Sequence, residues 1–370
     1  MIIKRFEGEN FRNIEKCSIE FSPGINLLLG NNAHGKTNLA EGIYLFSRGK
    51  SFRGADEGEL LKFGAEGFRL FIEYEDKKGI NTLEYAKFGK ERRRKVNGYK
   101  TDKLTEFIGN LRIVIFTPDD LTLVKGGPEQ RRSFLNVAIS QYDKTYINIY
   151  YSYKKALENR NALLKLMQKG FFVDEREFNS WSEALAEYSA FIYMKRVEYI
   201  KKLKVYTKEE LKKISSELED ISLEYKSDID EALENKEDIK RKYYSLLCEN
   251  KERECSAGVT LFGPHRDEIE IEINGMKARS FASQGQQRSI VLSMKLAEGE
   301  IIKKNIGEYP VYIFDDVLSE LDEGRQKFIL SEINDRQIII TSCALRENID
   351  FGENIIEVKS GVYENVSSHR

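Results

Sequence analysis

Apolar and polar residues alternate along the chain in three textures. Over the first 128 residues the period is mostly two. Ile2-Ile3-Lys4-Arg5-Phe6-Glu7 predicts a strand, Gly8 to Asn13 a loop, and Cys17-Ser18-Ile19-Glu20-Phe21 a second strand; Ser22-Pro23-Gly24 then turns into the apolar run Leu27-Leu28-Leu29. Residues 68–74 and 82–85 alternate as antiparallel strands around Asp76-Lys77-Lys78-Gly79, and Asn97-Gly98 is the turn of a further hairpin that starts at Arg92. Leu111-Arg112-Ile113-Val114-Ile115-Phe116 reads as a buried strand ending at Thr117-Pro118-Asp119-Asp120. From about Glu129 to Glu254 the period lengthens to that of helices, clearest over residues 150–169, 178–210 and 239–251, with no proline to interrupt it. Strand texture returns at residues 260–273 and turns at Asn274-Gly275. A helix follows over residues 289–302, then the apolar strand Val311-Tyr312-Ile313-Phe314.

These textures predict an α/β head in two segments, residues 1–128 and 257–370, with residues 129–256 inserted between them as an all-helical lobe. The insertion is long enough for several packed helices of ordinary length and far too short for an extended coiled-coil arm. Its aromatic faces (Tyr146, Tyr150, Tyr151, Tyr153; Tyr188, Phe191, Tyr193) are expected to serve as helix-packing core.

The chemistry starts where the run Leu27-Leu28-Leu29 breaks. Gly30-Asn31-Asn32-Ala33-His34-Gly35-Lys36-Thr37-Asn38 fits GxxxxGK[ST] between a strand and the helical pattern from Leu39 to Phe46, which is the setting a Walker A loop requires. Its glycines let successive N–H groups and the helix N-terminus converge on phosphate. Lys36 is placed to reach the β- and γ-phosphates, and the Thr37 hydroxyl to ligate Mg²⁺. The partner motif is the strand at 311–314 running into Asp315-Asp316: Asp315 is expected to hold Mg²⁺ with Thr37, and Asp316 to orient and deprotonate the attacking water. The candidate catalytic set is therefore Lys36, Asp315 and Asp316, with ATP and Mg²⁺ as cofactors.

Composition narrows the class. With 41% hydrophobic and 32% charged residues the chain has ample core material, and a net charge of −2 means that any nucleic-acid site is a local basic face. No apolar run approaches a bilayer span and the N-terminus lacks a signal-peptide core, so the expected location is the cytoplasm, with Cys17, Cys248, Cys255 and Cys343 as reduced thiols. The three histidines have no companions at metal-ligand spacing, and His265, in Gly263-Pro264-His265-Arg266-Asp267, reads as a hydrogen-bonding turn residue.

Basic residues near the loop carry two readings each. Phe11-Arg12-Asn13 either contacts nucleotide or forms a plain turn. Lys50 and Arg53 face phosphate or belong to a solvated loop. Arg92, Arg93, Arg94 and Lys95 contact DNA phosphates or guard a hairpin edge.

Ala282-Ser283-Gln284-Gly285-Gln286 resembles the LSGGQ signature of ABC-type ATPases, and Ser319-Glu320-Leu321-Asp322 resembles their D-loop. The resemblance implies an ABC-type P-loop ATPase head, a mixed sheet flanked by helices plus an antiparallel β subdomain. It also implies an ATP-dependent homodimer in which Ser283, Gln284, Gly285 and Gln286 cap the nucleotide on the other subunit's P-loop. Over nearly the whole chain the order of parts is similar to the RecF family, cousins of the SMC-type heads; its most specific pieces are GNNAHGKTN, Gly126-Gly127-Pro128-Glu129-Gln130-Arg131-Arg132, residues 263–267 and Asp315-Asp316. That resemblance implies binding of double-stranded DNA and of double-strand/single-strand junctions, slow and DNA-stimulated ATP hydrolysis, and work with RecR and RecO in loading RecA. The competing readings are the ATPase subunit of a membrane transporter and an SMC-like mechanical ATPase. Ile338-Ile339-Ile340-Thr341-Ser342-Cys343 offers no switch histidine, leaving Thr341 or Ser342 as γ-phosphate sensor, and Thr117-Pro118-Asp119-Asp120 has no Q-loop glutamine.

Overall fold

The computed structural model describes residues 1–215, 219–229, 233–318, 321–332, 335–344 and 354–366, with backbone alone at 331 and 332. In chain order the strands are β1 (Ile2–Phe11), β2 (Ile14–Glu20), β3 (Ile25–Leu29), β4 (Gly67–Asp76), β5 (Gly79–Phe88), β6 (Glu91–Val96), β7 (Tyr99–Lys100), β8 (Ile113–Phe116), β9 (Ile221–Lys226), β10 (Glu268–Ile273), β11 (Met276–Lys277), β12 (Val311–Asp315), β13 (Ile338–Ser342), β14 (Asn354–Lys359) and β15 (Val362–Val366). The chain forms two compact units, Met1–Leu121 with Glu210–Glu217 and Arg288–Arg370, and Thr122–Glu209 with Leu218–Gln287.

The first unit is built on two sheets. An antiparallel sheet runs β2-β1-β4-β5-β6-β7, and a mixed sheet runs β15-β14-β3-β13-β12-β8, in which only β15 is antiparallel. The helix Lys36–Arg48 touches β1 and β4 on one side and β8, β12 and β13 on the other, so Leu39, Ile43, Leu45 and Phe46 are buried between two layers. Parallel strands covered on both faces are apolar throughout, and β8, β12 and β13 read that way: IVIF, VYIFD, IIITS. The side chain of Gln337 locks the layers by accepting from Ile3 N–H (2.7 Å) and donating to Ile3 O (2.8 Å).

Two boundaries differ from the sequence reading. β1 continues through Gly8 to Phe11, because Phe11 is fully buried and extends the pairing with β2; the turn is confined to Arg12 and Asn13, with Arg12 at φ +53°. The inserted lobe is not purely helical. Ile221-Ser222-Leu223-Glu224-Tyr225-Lys226 pairs with β10, a union that draws residues 257–287 into the second unit.

That unit packs the helix Lys144–Gln168 and the helix Glu175–Ile214 as far as Glu209 with the β9-β10-β11 sheet. Tyr146, Tyr153 and Tyr193 are buried in its core, whereas Tyr151 is exposed. Its polar centre is Arg160, fully buried, donating to Ser182 Oγ (2.9 Å), Thr260 Oγ1 (2.8 Å) and Glu254 Oε2 (2.6 Å). Residues 263–267 belong to the same framework: Arg196 donates to Pro264 O (2.6 Å), and His265 meets Tyr153 Oη at 2.6 Å and Thr260 O at 3.1 Å. Burial brings His265 down to about 4, so its ring is neutral at physiological pH. Arg160→Lys keeps one charge beside Glu254 but lacks the planar fork that serves three acceptors. It is expected to cost about 2 kcal/mol, read as a lower urea midpoint at unchanged slope; an unshifted midpoint contradicts this role.

Candidate nucleotide-binding site

β3 delivers the loop from the middle of the mixed sheet. At Gly30 a Cβ would lie 2.2 Å from Val358 O, so only glycine lets β3 leave the sheet here. Gly35 is at φ +112°, and a Cβ there would meet Asn13 and the Tyr363 hydroxyl inside 3 Å. Neighbours hold the loop from outside. His34 O accepts from Gly361 N (2.8 Å) and Asn13 Nδ2 (3.1 Å), His34 Nδ1 lies 3.1 Å from Val358 O, Tyr363 Oη donates to Gly35 O (2.9 Å), and Asn38 Nδ2 donates to Asn13 Oδ1 (2.8 Å). No side chain caps the helix that begins at Lys36, which leaves its first N–H groups for a ligand.

Lys36 is 4% exposed, and its ammonium rests on the carbonyls of Gly30 (2.6 Å) and Asn31 (3.0 Å). Among the described residues no carboxylate pairs with it. A buried ammonium met by neutral carbonyls and a thiol, with no carboxylate, fits a site for an anion.

The second half shows the opposite imbalance. Asp315, also 4% exposed, accepts from Thr37 Oγ1 (3.0 Å) and Thr341 Oγ1 (2.9 Å), with no ion-paired Lys or Arg among the described residues. Burial pushes its carboxyl above the ordinary range and the charge of Asp316 adds to this, against the hydroxyl hydrogen bonds and the field of Arg53. A buried, uncompensated carboxylate joined to a threonine hydroxyl fits a hard divalent cation. Among the described residues no three His, Cys, Asp or Glu side chains form a metal cage, so Thr37 and Asp315 would share such an ion with oxygens of water and nucleotide. Asp316 follows at φ +55°, half-buried, its N–H donating to Thr341 Oγ1 (2.9 Å).

The remaining candidates separate. Arg12 is tied to the frame behind the loop, its Nε and Nη2 each 2.8 Å from the fully buried Glu41 and its Nη1 on Glu59 O. Arg53 approaches the same helix at Asn38 Oδ1 (3.4 Å). Ser283 and Gln286 form a reciprocal capping box: Ser283 N donates to Gln286 Oε1 (2.9 Å) and Gln286 N to Ser283 Oγ (3.2 Å). Ser283 and Gln284 are exposed, so the N-terminus of the helix Gln284–Ile306 is accessible. Of the D-loop, Ser319 and Glu320 lie outside the described residues, and Asp322 caps the helix Glu323–Glu332 by accepting from Arg325 N (2.9 Å). Thr341 is engaged with Asp315 and Asp316, and the Ser342 hydroxyl turns to Ala344 O. Ser342 O accepts from Gly30 N–H (3.2 Å), and the Cys343 side chain reaches further into the loop: Sγ is 2.7 Å from Asn32 Oδ1 and 3.6 Å from Lys36 Nζ.

The family model of the RecF/RecN/SMC N terminal domain matches residues 2–364. The chain is 39% identical over 365 residues to the DNA replication and repair protein RecF of Clostridium novyi (strain NT), covering 98% of this chain and 99% of that one. The chain belongs to the RecF family. The RecF of Staphylococcus carnosus (strain TM300) is 38% identical over 352 residues, 95% of each chain. A solved structure of the recombination mediator protein RecF-ATP in the RecFOR pathway superposes with a TM-score of 0.92 at 35% identity, over 99% of this chain and 98% of that one. Such full-length similarity to RecF proteins leaves the transporter-subunit reading without support. No described helix is long and apolar enough to cross a membrane.

Several residues around this candidate site carry no sequence signal: Glu41, Cys343 and the β14–β15 turn that grips His34; Thr341, read from the sequence as a candidate γ-phosphate sensor, bridges both aspartates.

Proposed function

We propose that the protein is an ATP-dependent DNA-binding factor of recombinational repair and replication restart. Two copies sandwich ATP, clamp double-stranded DNA near junctions with single strands, and release it on slow hydrolysis. The observation that carries the reading is the pair of opposite imbalances at one loop, the buried Lys36 ammonium without a carboxylate and the buried Asp315 carboxylate without a paired cation. ATP with a divalent cation answers both.

In this reading the loop amides between Asn31 and Thr37 and the helix start bind the phosphates, and Lys36 moves from its two carbonyls onto them. Mg²⁺, when bound, supplies charge neutralisation on the phosphates. Thr37 and Asp315 would hold it, Thr341 fixes the rotamer of Asp315, and Asp316 orients water and takes its proton. The partner copy's exposed helix start at Ser283–Gln286 adds donors to the γ-phosphate, so ATP joins the copies and its hydrolysis loosens them. Similarity to a RecF named with ATP in the RecFOR pathway supports ATP as ligand and RecO and RecR as partners; RecA loading is the outcome this reading assigns to them.

The test is molar mass by light scattering with ATP and Mg²⁺, with and without a short duplex. Wild type is expected to double its mass with ATP. Ser283→Arg is expected to bind ATP normally yet to weaken dimerisation at least roughly tenfold, because a long cation displaces the capping geometry at a γ-phosphate contact. A Ser283→Arg dimer as tight as wild type removes the signature from the subunit interface and with it the sandwich.

A further inference from the structure

Arg92, Arg93, Arg94 and Lys95 occupy one strand, β6, and strand geometry sends alternate side chains to opposite faces of the sheet. The two faces differ in charge balance. On the outer face Arg5 pairs with Glu7 (3.3 Å) and Glu73 (3.9 Å), Arg69 with Glu7 (3.4 Å) and Glu84 (3.1 Å), Lys95 with Glu84 (2.9 Å), and Arg93 with Glu91 (3.0 Å). Arg5, Arg69, Arg93 and Lys95 are thus matched one for one by Glu7, Glu73, Glu84 and Glu91. Such a ladder offers little field to a polyanion.

The register places Arg92 opposite Lys87 and Arg94 opposite Tyr85, on the other face. There the sheet runs past its apolar core, and Lys87, Arg92 and Arg94 line an open basin of about 740 Å³ together with Lys50, Asp56 and Glu57. Four cations meet two carboxylates. Glu57 is already shared, accepting from Tyr85 Oη (2.7 Å) and Arg92 Nε (2.6 Å) and lying 3.6 Å from Lys87 Nζ. Lys50 and Arg94 have no carboxylate partner among the described residues. Arg94 lies 5.4 Å over the Tyr85 ring with its Nε screened from solvent and without an acceptor. A half-covered guanidinium short of an acceptor, in a concave wall of surplus positive charge, calls for an anion.

We infer that this basin, and not the whole basic run, is the seat for the phosphodiester backbone of duplex DNA. The inference rests on the duplex-binding reading above and assigns that contact to one face of β6. The cations stand along the basin walls with Glu57 between them, an arrangement suited to successive phosphates along a strand. A single phosphate monoester would need donors converging on one point.

The experiment is fluorescence anisotropy of a labelled duplex with the ATP-bound protein across a salt series. Counterion release makes each phosphate contact worth about 0.9 of a log unit at 0.1 M salt, or roughly eightfold in affinity. Arg92→Gln/Arg94→Gln is therefore expected to lose at least about tenfold and to flatten the salt slope by about one per lost contact. Arg93→Gln/Lys95→Gln is expected to stay within about threefold. Lys50→Gln, which breaks no internal ion pair, is expected to lose several-fold by itself, which separates DNA contact from damage to the sheet. ATP-dependent mass is expected to be unchanged in all three. Equal losses from the two double variants, or full affinity in the basin variants, overturn the inference while duplex binding by wild type stands. Absence of duplex binding by wild type overturns the function reading itself and this inference with it.

Discussion

Replacing Lys36 with methionine lowers ATP affinity by at least about a hundredfold and leaves the protein monomeric with ATP and Mg²⁺ present. The magnitude follows from what the ammonium does in each state. Without ligand it sits on Gly30 O and Asn31 O at 2.6 and 3.0 Å, two neutral acceptors at the surface of the loop. With phosphate bound, it exchanges them for charge-assisted bonds in a screened site, and losing one partner of such a pair costs about 3 kcal/mol, roughly a hundredfold. Methionine keeps the length and apolar stem, and the loop retains its outer supports at His34, Gly35 and Asn38. The folded structure is therefore expected to survive, with an unchanged urea midpoint. Titration calorimetry with ATP and Mg²⁺ gives the answer. An affinity within about threefold of wild type would mean that the ammonium never leaves its carbonyls, and the phosphate site would have to be sought elsewhere.

The parts of this site that were legible in the sequence are those whose chemistry forces short spacing. GxxxxGK[ST] has to be contiguous because one turn of backbone supplies the donors, and Asp315-Asp316 has to be adjacent because both carboxylates leave one strand end. Thr341 reaches the two aspartates and Cys343 the loop because β13 lies beside both β3 and β12 in the mixed sheet, an order that no local pattern encodes. The same holds for Gly361, whose N–H meets His34 from the far end of the chain. Arg12 had two readings of equal merit. In the structure its guanidinium pairs with Glu41, a glutamate on the buried stripe of the helix Lys36–Arg48 that looks like an ordinary solvated acid in the sequence. In the lobe, the six-residue alternation of β9 was lost among flanking lysines and glutamates typical of helices, because its pairing strand lies more than forty residues on. The basic run at β6 is a related case. Four consecutive cations look like one patch until strand pairing fixes which two share a face with Lys50.

Asp316→Asn is expected to leave ATP binding intact, slow hydrolysis by about 10² to 10⁴, and lengthen the life of the ATP-bound dimer in proportion. The two adjacent carboxylates have different surroundings, and the difference assigns their roles. Asp315 is buried and receives both threonine hydroxyls, and burial disfavours its unpaired charge, so it is suited to holding a cation. Asp316 is half-buried and one residue further, held at φ +55° by its N–H on Thr341. Left-handed backbone is uncommon for side-chain-bearing residues, and aspartate and asparagine adopt it most readily. Asparagine therefore keeps both the backbone shape and the bond to Thr341 while removing the proton acceptor, which makes the substitution a test of chemistry and not of folding. Asp315→Asn is expected to fail at the earlier step, weakening the Mg²⁺ dependence of nucleotide binding. Single-turnover hydrolysis and dimer lifetime separate the two. If Asp316→Asn hydrolyses ATP within about threefold of wild type, the water is handled by another group, and release of DNA is no longer timed by this carboxylate.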